Sequence, residues 1–300
     1  MSLPIAHIYR PVTAAPFRNG PDYQEVLPCA ALQPYIRCFW RYRQGCAATP
    51  TLSPAAASAA AIVVPDTCVD VLFTPRADRQ TVEHRFCGIN DHSFWPSGVW
   101  QRAPAAAYDT FAIRFYAWSV HLFAEDSLRA SANASTDARA LFPRFTREIE
   151  ERLPELPAFA QQIAMVESLL MRALQKGESK QTAAERTFLT AVSEILYRRG
   201  NLKALQLARQ LHLSSRQLER VFLEYGGVSP KKLATLVRYQ SLWQDVLFRR
   251  QFHIQDEVYE LGFSDQSHLL HEFRRFHAMS LGQARAYAYQ HVDFLQSRPY

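Results

Sequence analysis

The sequence predicts an α+β protein whose N-terminal part is β-rich and barrel-like and whose C-terminal part is all α-helical. Three observations lead to this fold class. Runs of aromatic and β-branched residues lie before residue 119, helical periodicity follows, and two C-terminal segments repeat one helix-turn-helix pattern. A length of 300 residues fits two domains.

Charge is unevenly distributed along the chain, which has a formal net charge of +6. Residues 183–300 hold 16 Lys and Arg against 11 Asp and Glu, whereas residues 1–182 hold 18 against 17. The basic excess in the C-terminal two-fifths favours a polyanionic partner there.

The cysteines and the hydropathy pattern restrict the class of protein. All five cysteines lie in the first third and none form a CxxC pair, which argues against a secreted disulfide scaffold. No signal-peptide pattern opens the sequence, and no apolar run reaches the length of a membrane span. We therefore expect a cytoplasmic protein with no membrane partner, no cofactor and no metal.

The β-rich part follows a lead-in over residues 1–28 that is rich in Pro and Ala and shows little periodicity. Strand-like runs then occur at 32–43, 61–74, 84–90 and 109–118. A loop of small residues over 49–61 separates the first two runs. Their irregular spacing favours an antiparallel barrel or sandwich over alternating strands and helices.

Helical patterns dominate from residue 119 onwards. The last helix of this region ends at Gly177, and the polar segment 177–185 is the predicted domain boundary. We therefore predict a first domain over residues 1–180, with helices at about 119–177, and a helical domain over residues 181–300.

The second domain contains the same helix-turn-helix pattern twice, at about residues 202–227 and 253–277. In each unit a short helix and a turn precede a second helix, whose predicted N-cap is Ser214 or Asp265. Both second helices carry apolar residues four and eight positions after the cap: Leu218, Phe222, Leu269 and Phe273. A single helix-turn-helix shape is common in helical bundles, so the duplication is the more specific signal.

Matched positions in the two units differ in how well they suit the motif. Gly262 can adopt a left-handed turn conformation at little energetic cost, whereas that conformation is less favourable for His212 at the equivalent position. Ala208 fits the position where the two helices cross, and the bulkier Val258 occupies it in the second unit.

A linker helix at about 229–248 joins the two units, with Ser229 as its N-cap and Pro230 at its first position. About 18 helical residues span about 27 Å. A stiff spacer of that length suits two recognition helices held about one DNA turn, roughly 34 Å, apart.

The exposed faces of the two second helices carry side chains suited to base edges: Ser215, Arg216, Glu219, Arg220, Gln266, Ser267, His268 and His271. Arginine pairs well with guanine, and glutamine with adenine. Basic residues that suit phosphates, which position the protein without specifying sequence, are Lys231, Lys232, Arg274 and Arg275.

These motifs resemble the AraC/XylS family of transcription regulators over about residues 202–285. GFSDQSHLLHEFRRF, from Gly262 to Phe276, is similar to the family's second helix-turn-helix signature, and SSRQLERVF followed by GVSP is similar to the first. The resemblance implies two recognition helices in successive major grooves of promoter DNA, binding as a homodimer, and RNA polymerase as a candidate partner. It also implies base reading by Arg216, Glu219, Arg220, Ser267, His268 and His271.

The chain departs from the family's pattern mainly in the second unit. Val258 replaces the usual Ala, and Ala278 and Leu281 replace the usual Gly and Pro. His271 stands where Arg is frequent. Two interpretations stay open for it: a weaker, pH-sensitive second unit, or a plain surface histidine.

The N-terminal half is similar to the sensor domain of a subset of these regulators in LQPYIRCFWRYR, VPDTCVDVLF and FAIRFYAW. That resemblance implies a barrel-like fold, helices that dimerise and a small-molecule effector. Candidate residues for a pocket that holds an aromatic or acyl carboxylate are Trp40, Trp95, Trp100, Trp118, Arg37 and Arg114. The competing interpretation places these side chains in the core and the dimer surface.

Two kinds of site are weighed against this pocket. His84, Cys87 and His92 lie close in sequence but match no standard metal motif. Thiol-based sensing by Cys29, Cys38 or Cys87 is the other alternative.

The leading hypothesis is therefore an effector-responsive, sequence-specific DNA-binding transcription regulator, either an activator or a repressor, and not an enzyme. One alternative is a regulator that has lost specific DNA binding and acts through protein partners. A second alternative, a thiol-based DNA alkylation-response protein, needs a four-cysteine zinc cluster whose paired spacing this chain lacks.

Overall fold

The structure is a computed structural model that describes residues 9, 11–12, 23–44, 63–75, 81–93, 108–129, 131–177 and 182–290. The strands are β1 (Tyr23–Val26), β2 (Ile36–Gln44), β3 (Cys68–Pro75), β4 (Val82–Cys87), β5 (Tyr108–Tyr116) and β6 (Ser135–Asp137). Two helices follow them, α1 (Pro143–Arg152) and α2 (Phe159–Gly177).

The six strands form one sheet in the order β1-β2-β5-β3-β4-β6, and every neighbouring pair is antiparallel. The nine-residue strand β5 lies between β2 and β3, with Ala112 opposite both Trp40 and Leu72. Because side chains alternate across a strand, the sheet has two different faces.

One face of the sheet forms the main hydrophobic core. Phe39, Phe73 and Phe111 are buried there, and α2 covers them through Phe159, whose ring lies edge-on to Phe111 at 5.9 Å between centroids. The α1 helix closes the same face through Phe145, which meets Phe73 at 6.5 Å. The helices after the sheet are therefore part of its core.

The other face of the sheet carries a second, smaller cluster of Cys38, Trp40, Leu72 and Ala112. Buried charge lies beside this cluster, because Arg114 donates to both carboxylate oxygens of Asp70 at 2.9 Å. The indole Nε1 of Trp40 donates to the same carboxylate at 2.9 Å. This face is thus mixed, with an apolar centre and a buried ion pair.

The C-terminal part is entirely helical in the residues that the structure describes. Its helices are α3 (Ala183–Tyr197), α4 (Ala204–Gln210), α5 (Ser215–Gly226), α6 (Pro230–Phe248), α7 (Ile254–Glu260), α8 (Gln266–His277) and α9 (Leu281–Gln290). The linker helix α6 lies in the centre: Leu236, Val237 and Val246 are fully buried. None of the described helices has the length and apolar character of a membrane span.

The α+β fold class is confirmed, with the sheet in the N-terminal part and the helix-turn-helix units in the C-terminal part. Two local interpretations were wrong. The four-residue β1 lies inside the predicted irregular lead-in, and the three-residue β6 lies inside the predicted helical region. Neither strand is long enough to show periodicity, and each forms by pairing with a sheet edge.

The two parts of the chain share one continuous core and touch at several points. The buried side chain of Gln240 on α6 accepts from Val12 N at 2.8 Å and donates to Pro65 O at 2.6 Å. Ser93 N donates to Phe276 O at the end of α8, at 3.1 Å. The sheet part therefore lies against both the linker helix and the second unit.

A second contact lies at the end of α5. Gly227 is left-handed (φ 68°), and a Cβ there would stand 2.1 Å from Ser131 Oγ and 3.0 Å from Leu128 O. Only a glycine admits so close an approach without displacement of the 128–131 loop. Beside it, Arg129 pairs with Glu224 at 2.8 Å.

Candidate nucleic-acid interface

The first helix-turn-helix unit consists of α4, a turn and α5. The Ser214 hydroxyl caps α5 by accepting from Gln217 N at 3.2 Å, while Gln217 Oε1 accepts from Ser214 N at 2.8 Å. This reciprocal capping box satisfies two backbone donors that a helix start leaves open. The start of α5 is therefore fixed by its own sequence, as the predicted cap requires.

Burial divides α5 into two faces. Leu218 and Phe222 are fully buried, and the Phe222 ring meets Phe188 of α3 edge-on at 5.1 Å. The opposite face exposes all four side chains that the sequence assigns to base reading: Ser215, Arg216, Glu219 and Arg220. Within the described part of the chain, Arg216 and Arg220 make no ion pair or hydrogen bond.

The second unit has the same construction from α7, a turn and α8. The Asp265 carboxylate accepts from His268 N at 2.8 Å, and this backbone bond holds the pKa of Asp265 below its usual value. Leu269, Phe273 and Phe276 are buried beneath α8. Its outer face exposes Gln266, Ser267, His268 and His271.

The two turns match in backbone geometry and in hydrogen bonds. His212 and Gly262 are both left-handed, with φ of 55° and 68°. After each of them the next amide bonds back into the first helix, from Leu213 N to Ala208 O and from Phe263 N to Val258 O, both at 2.9 Å. The matched bonds confirm the duplication at the level of individual atoms.

The exposed faces of α5 and α8 differ in how many of their side chains form hydrogen bonds. Gln266 Oε1 accepts from Gln255 Nε2 of α7 at 3.1 Å. The His268 ring lies edge-on to Phe263, with its Nδ1 3.1 Å from Ser264 Oγ. Two of the four polar side chains on α8 are therefore engaged within their own unit.

The residues predicted to contact phosphates also fall into two groups. Lys231 and Arg274 are exposed, and the guanidinium of the exposed Arg275 lies 5.5 Å from the centroid of Phe276. Lys232 instead forms an ion pair with Asp91, on the loop after β4. The bond from Lys232 lowers the pKa of Asp91 to about 2.

An ion pair that the sequence interpretation missed fixes α8 to the linker helix. Arg238 of α6 binds Glu272 of α8 with both its Nε and Nη2 atoms, at 3.0 and 2.7 Å. The same guanidinium lies 4.4 Å from the centroid of Phe263 in the second turn. The i+34 separation of the pair gave no local signal for it.

A buried histidine completes this contact. The hydroxyl of Tyr239 and Nδ1 of His277 lie 2.8 Å apart, and burial lowers the pKa of His277 to about 4. His277 is therefore neutral at physiological pH, so it joins α6 to the end of α8 without adding charge.

Among the effector-pocket candidates, Trp40 and Arg114 come together on the second face of the sheet through Asp70. Arg37 lies in β2 next to Cys38, which belongs to the cluster on that face. Trp118 lies elsewhere, stacked on Tyr116 at 4.7 Å in the main core. Trp95 and Trp100 lie outside the described residues.

The side chains considered for a metal site or a thiol sensor each contact a different residue in the structure. The Nδ1 of His84 lies 2.9 Å from Asp137, whereas His92 faces Asp91 and Cys87 faces Ser135. Burial raises the pKa of the Cys38 thiol far above its usual value and that of Cys87 to about 11. Both thiols are protonated at neutral pH, which disfavours thiolate chemistry there.

Comparisons with known proteins give two matching family models and a likeness to solved structures. Residues 24–137 match a domain of unknown function, DUF6597, and residues 207–287 match a helix-turn-helix domain. The crystal structure of unsaturated fatty acid bound wild-type ToxT from Vibrio cholerae strain SCE256 is 14% identical. That match covers 74% of this chain and 87% of ToxT, with a TM-score of 0.33.

No curated protein matches the chain. The family models and the geometry agree on the organisation of the molecule, because the matched residues 207–287 include nearly all of both units. The C-terminal part thus matches a helix-turn-helix domain of the AraC type, and the part before it matches the DUF6597 domain.

Proposed function

We propose that the protein is a sequence-specific DNA-binding regulator of transcription that reads promoter DNA with both helix-turn-helix units. The observation that carries this proposal is the matched pair of capped helices, α5 and α8, which bury the same stripe and expose polar side chains one, two, three and six positions after the cap. A merely structural helical bundle does not require that the exposed faces be duplicated along with the buried ones.

The dimensions of the linker helix support the same function. The 19 residues of α6 span about 28 Å, close to the roughly 34 Å that separates successive major grooves on one side of the duplex. Helix α6 is also buried and braced to α8 by Arg238. The spacing of the two recognition helices is therefore set by a rigid element.

We expect the two units to contribute unequally. Arg216 and Arg220 on α5 are exposed and extend from a capped helix start, which suits bidentate contacts with guanine. On α8, Gln266 and His268 would first have to leave Gln255 and Ser264. The first unit should therefore supply most of the base specificity, and the second should mainly anchor the protein.

The second face of the sheet is the proposed effector site. Arg37 Nε and Arg114 Nη1 are buried and lack a hydrogen-bond partner among the described residues. Asp66 Oδ2 lies 3.9 Å from Arg114 Nη1, beyond hydrogen-bond distance, while Asp70 pairs with the other side of the same guanidinium. The buried guanidinium of Arg114 beside Trp40, together with the buried Nε of Arg37, suits a small carboxylate that has an apolar body.

Contacts between the two parts of the chain offer a route from this site to DNA binding. The loop after β4 joins the sheet to Lys232 through Asp91 and to the end of α8 through Ser93. A homodimer formed through the N-terminal domain, with RNA polymerase as a further partner, completes the proposed regulator.

The alternatives are less well supported. A regulator that acts only through protein partners would not need the free arginines of α5. A thiol-based alkylation-response protein would need reactive cysteines, whereas Cys38, Cys68 and Cys87 all lie on strands and have raised pKa values.

The proposal is tested by replacing the two arginines of α5. Arg216→Ala with Arg220→Ala should abolish specific binding of the full chain to duplexes selected from a random pool, because the direct base contacts are lost. Arg147→Ala with Arg152→Ala, the same double change at exposed sites on α1, is the matched control and should bind like the wild type. Unchanged protection of the selected sites by the double variant would refute base reading by α5.

A further inference from the structure

The contact between the linker helix and the second unit contains a buried carboxyl that DNA reading does not explain. The matched hydrogen bonds of the two turns make Ala208 equivalent to Val258, so Leu207 in the first unit is equivalent to Glu257 in the second. Leu207 is buried among apolar side chains, whereas Glu257 is a fully buried acid. The second unit therefore has a charge where its duplicate has a leucine.

Only one oxygen of this carboxyl has a hydrogen-bond donor. Glu257 Oε1 accepts from Arg249 Nη1 at 2.7 Å. Glu257 Oε2 is buried and has no hydrogen-bond partner among the described residues. A buried carboxylate oxygen without a hydrogen-bond donor destabilises the folded state. The groups around Glu257 should therefore show what compensates for it.

The charged groups around Glu257 come from four places in the fold. Asp245 lies on α6, Glu260 lies one turn further along α7, Arg249 follows α6 and Arg199 follows α3. Carboxylate oxygens of Asp245, Glu257 and Glu260 lie within 4.8 Å of one another. Three acids thus face two guanidiniums, which leaves one negative charge without a partner.

The arginines decide which ligand fits this cluster. Arg249 binds Glu260 at 2.9 Å and Glu257 at 2.7 Å, and Arg199 pairs with Asp245 and with Glu260. A divalent cation would have to approach two guanidiniums that already contact all three carboxylates. A single proton on Glu257 neutralises the excess charge and allows Oε2 to donate to the neighbouring carboxylate of Asp245.

We propose that Glu257 and Asp245 form a proton-binding site. Through this site, the packing of the second helix-turn-helix unit against the linker helix depends on pH near neutrality. Burial, and after it the charge of Asp245, raises the pKa of Glu257 to about 7. The extension to DNA affinity rests on the proposed function, whereas the proton site itself does not.

The direction of the effect follows from the raised pKa. Glu257 binds its proton more tightly in the folded chain than in the unfolded chain, where its pKa is about 4.5. The folded state therefore loses stability as pH rises from about 4.5 to about 7, and the loss is complete above the folded pKa. Ionised Glu257 then repels Asp245 across the contact between α6 and α7.

Thermal unfolding of the full-length protein tests the proton site without DNA. Glu257→Gln mimics the protonated acid, and Glu257→Leu installs the residue of the first unit. We expect the wild type to match Glu257→Gln at pH 5 and to unfold roughly 5 °C below it at pH 8.5. Glu194→Gln, a change at an exposed ion pair on α3, should follow the wild-type profile.

Parallel wild-type and Glu257→Gln profiles between pH 5 and pH 8.5 would overturn the proposal. If Glu257→Gln does not fold, Asp245→Asn is used instead. It should shift the pH range in which stability is lost to lower pH. An unchanged pH range would also contradict the proposal. In DNA binding, wild-type affinity should fall several-fold from pH 6 to pH 8 while Glu257→Gln stays level. Absence of DNA binding at every pH would refute the proposed function and leave the unfolding result as the test of the proton site.

Discussion

Two residues hold the matched turns in the same left-handed conformation, although only one of them is a glycine. His212 and Gly262 have φ values of 55° and 68°, and both follow a short first helix. A side chain with a Cβ is disfavoured in this region, so the first turn is strained where the second is not. Ala278, left-handed at the end of α8, carries the same strain.

The strain at His212 leads to a stability prediction. His212→Gly should raise the free energy of unfolding by about 1 kcal/mol, because glycine adopts the left-handed region without a Cβ clash. Chemical denaturation of the full chain measures the change. Gly262→Ala is the converse variant and should destabilise, since its Cβ would stand 2.2 Å from Asn201 Oδ1. A destabilised His212→Gly chain would contradict the assigned turn.

At the scale of single residues, the sequence predicted what is local. The caps at Ser214, Ser229 and Asp265 are confirmed because each acts on an amide three positions away. Lys232 was predicted as a phosphate contact from its charge alone. Its partner Asp91 lies 141 positions earlier, so no local pattern could reveal the ion pair.

Among the elements, the Arg238–Glu272 ion pair is the brace that fixes α8 to the linker helix α6. Arg238 and Glu272 are both largely buried and joined by three hydrogen bonds of 2.7 to 3.0 Å. Their removal should therefore affect both stability and DNA binding through the orientation of α8.

Glu272→Gln should lower the free energy of unfolding by roughly 2–3 kcal/mol, because it leaves the Arg238 charge buried without its partner. It should also weaken binding more at one half of a selected DNA site than at the other. The matched control is Glu194→Gln, whose exposed partner Arg198 lies one turn away at 3.2 Å, with an expected cost below about 0.5 kcal/mol. An equal loss of unfolding free energy in the two variants would show that the Arg238–Glu272 pair stabilises the protein no more than an exposed ion pair does.

Element boundaries were predictable where a strong cap or a proline marked them. Helix α6 begins at Pro230 after the Ser229 cap, as predicted, and runs to Phe248. The edge strands β1 and β6 were missed because pairing with β2 and β4, rather than their own sequence, creates them. The domain limits at about residue 180 stay a prediction.

On the scale of the whole molecule, the N-terminal part of the chain forms an ion pair with Lys232, which we propose as a phosphate contact. Asp91 keeps Lys232 in an ion pair, and the low pKa of Asp91, about 2, means that its carboxylate stays ionised at any physiological pH. The contact is therefore insensitive to pH, and under the proposed function a DNA phosphate competes with it directly.

Asp91→Asn should release Lys232 and raise affinity for all DNA sequences alike. The slope of log K against log salt should steepen by about one unit, as one more phosphate is neutralised. Asp126→Asn, the same charge change on an exposed loop of the same domain, should leave the slope unchanged. Identical slopes for both variants would show that Lys232 does not reach a phosphate.

The most direct test of the account is selection of DNA duplexes from a random-sequence pool by the full-length protein, followed by footprinting of the selected sites. If α5 and α8 read successive major grooves, each protomer should protect two stretches whose centres lie about 10 base pairs apart. The stretch lost in Arg216→Ala with Arg220→Ala should be the more strongly conserved one. A pool without enrichment, or a single protected stretch, would contradict DNA reading by the two units.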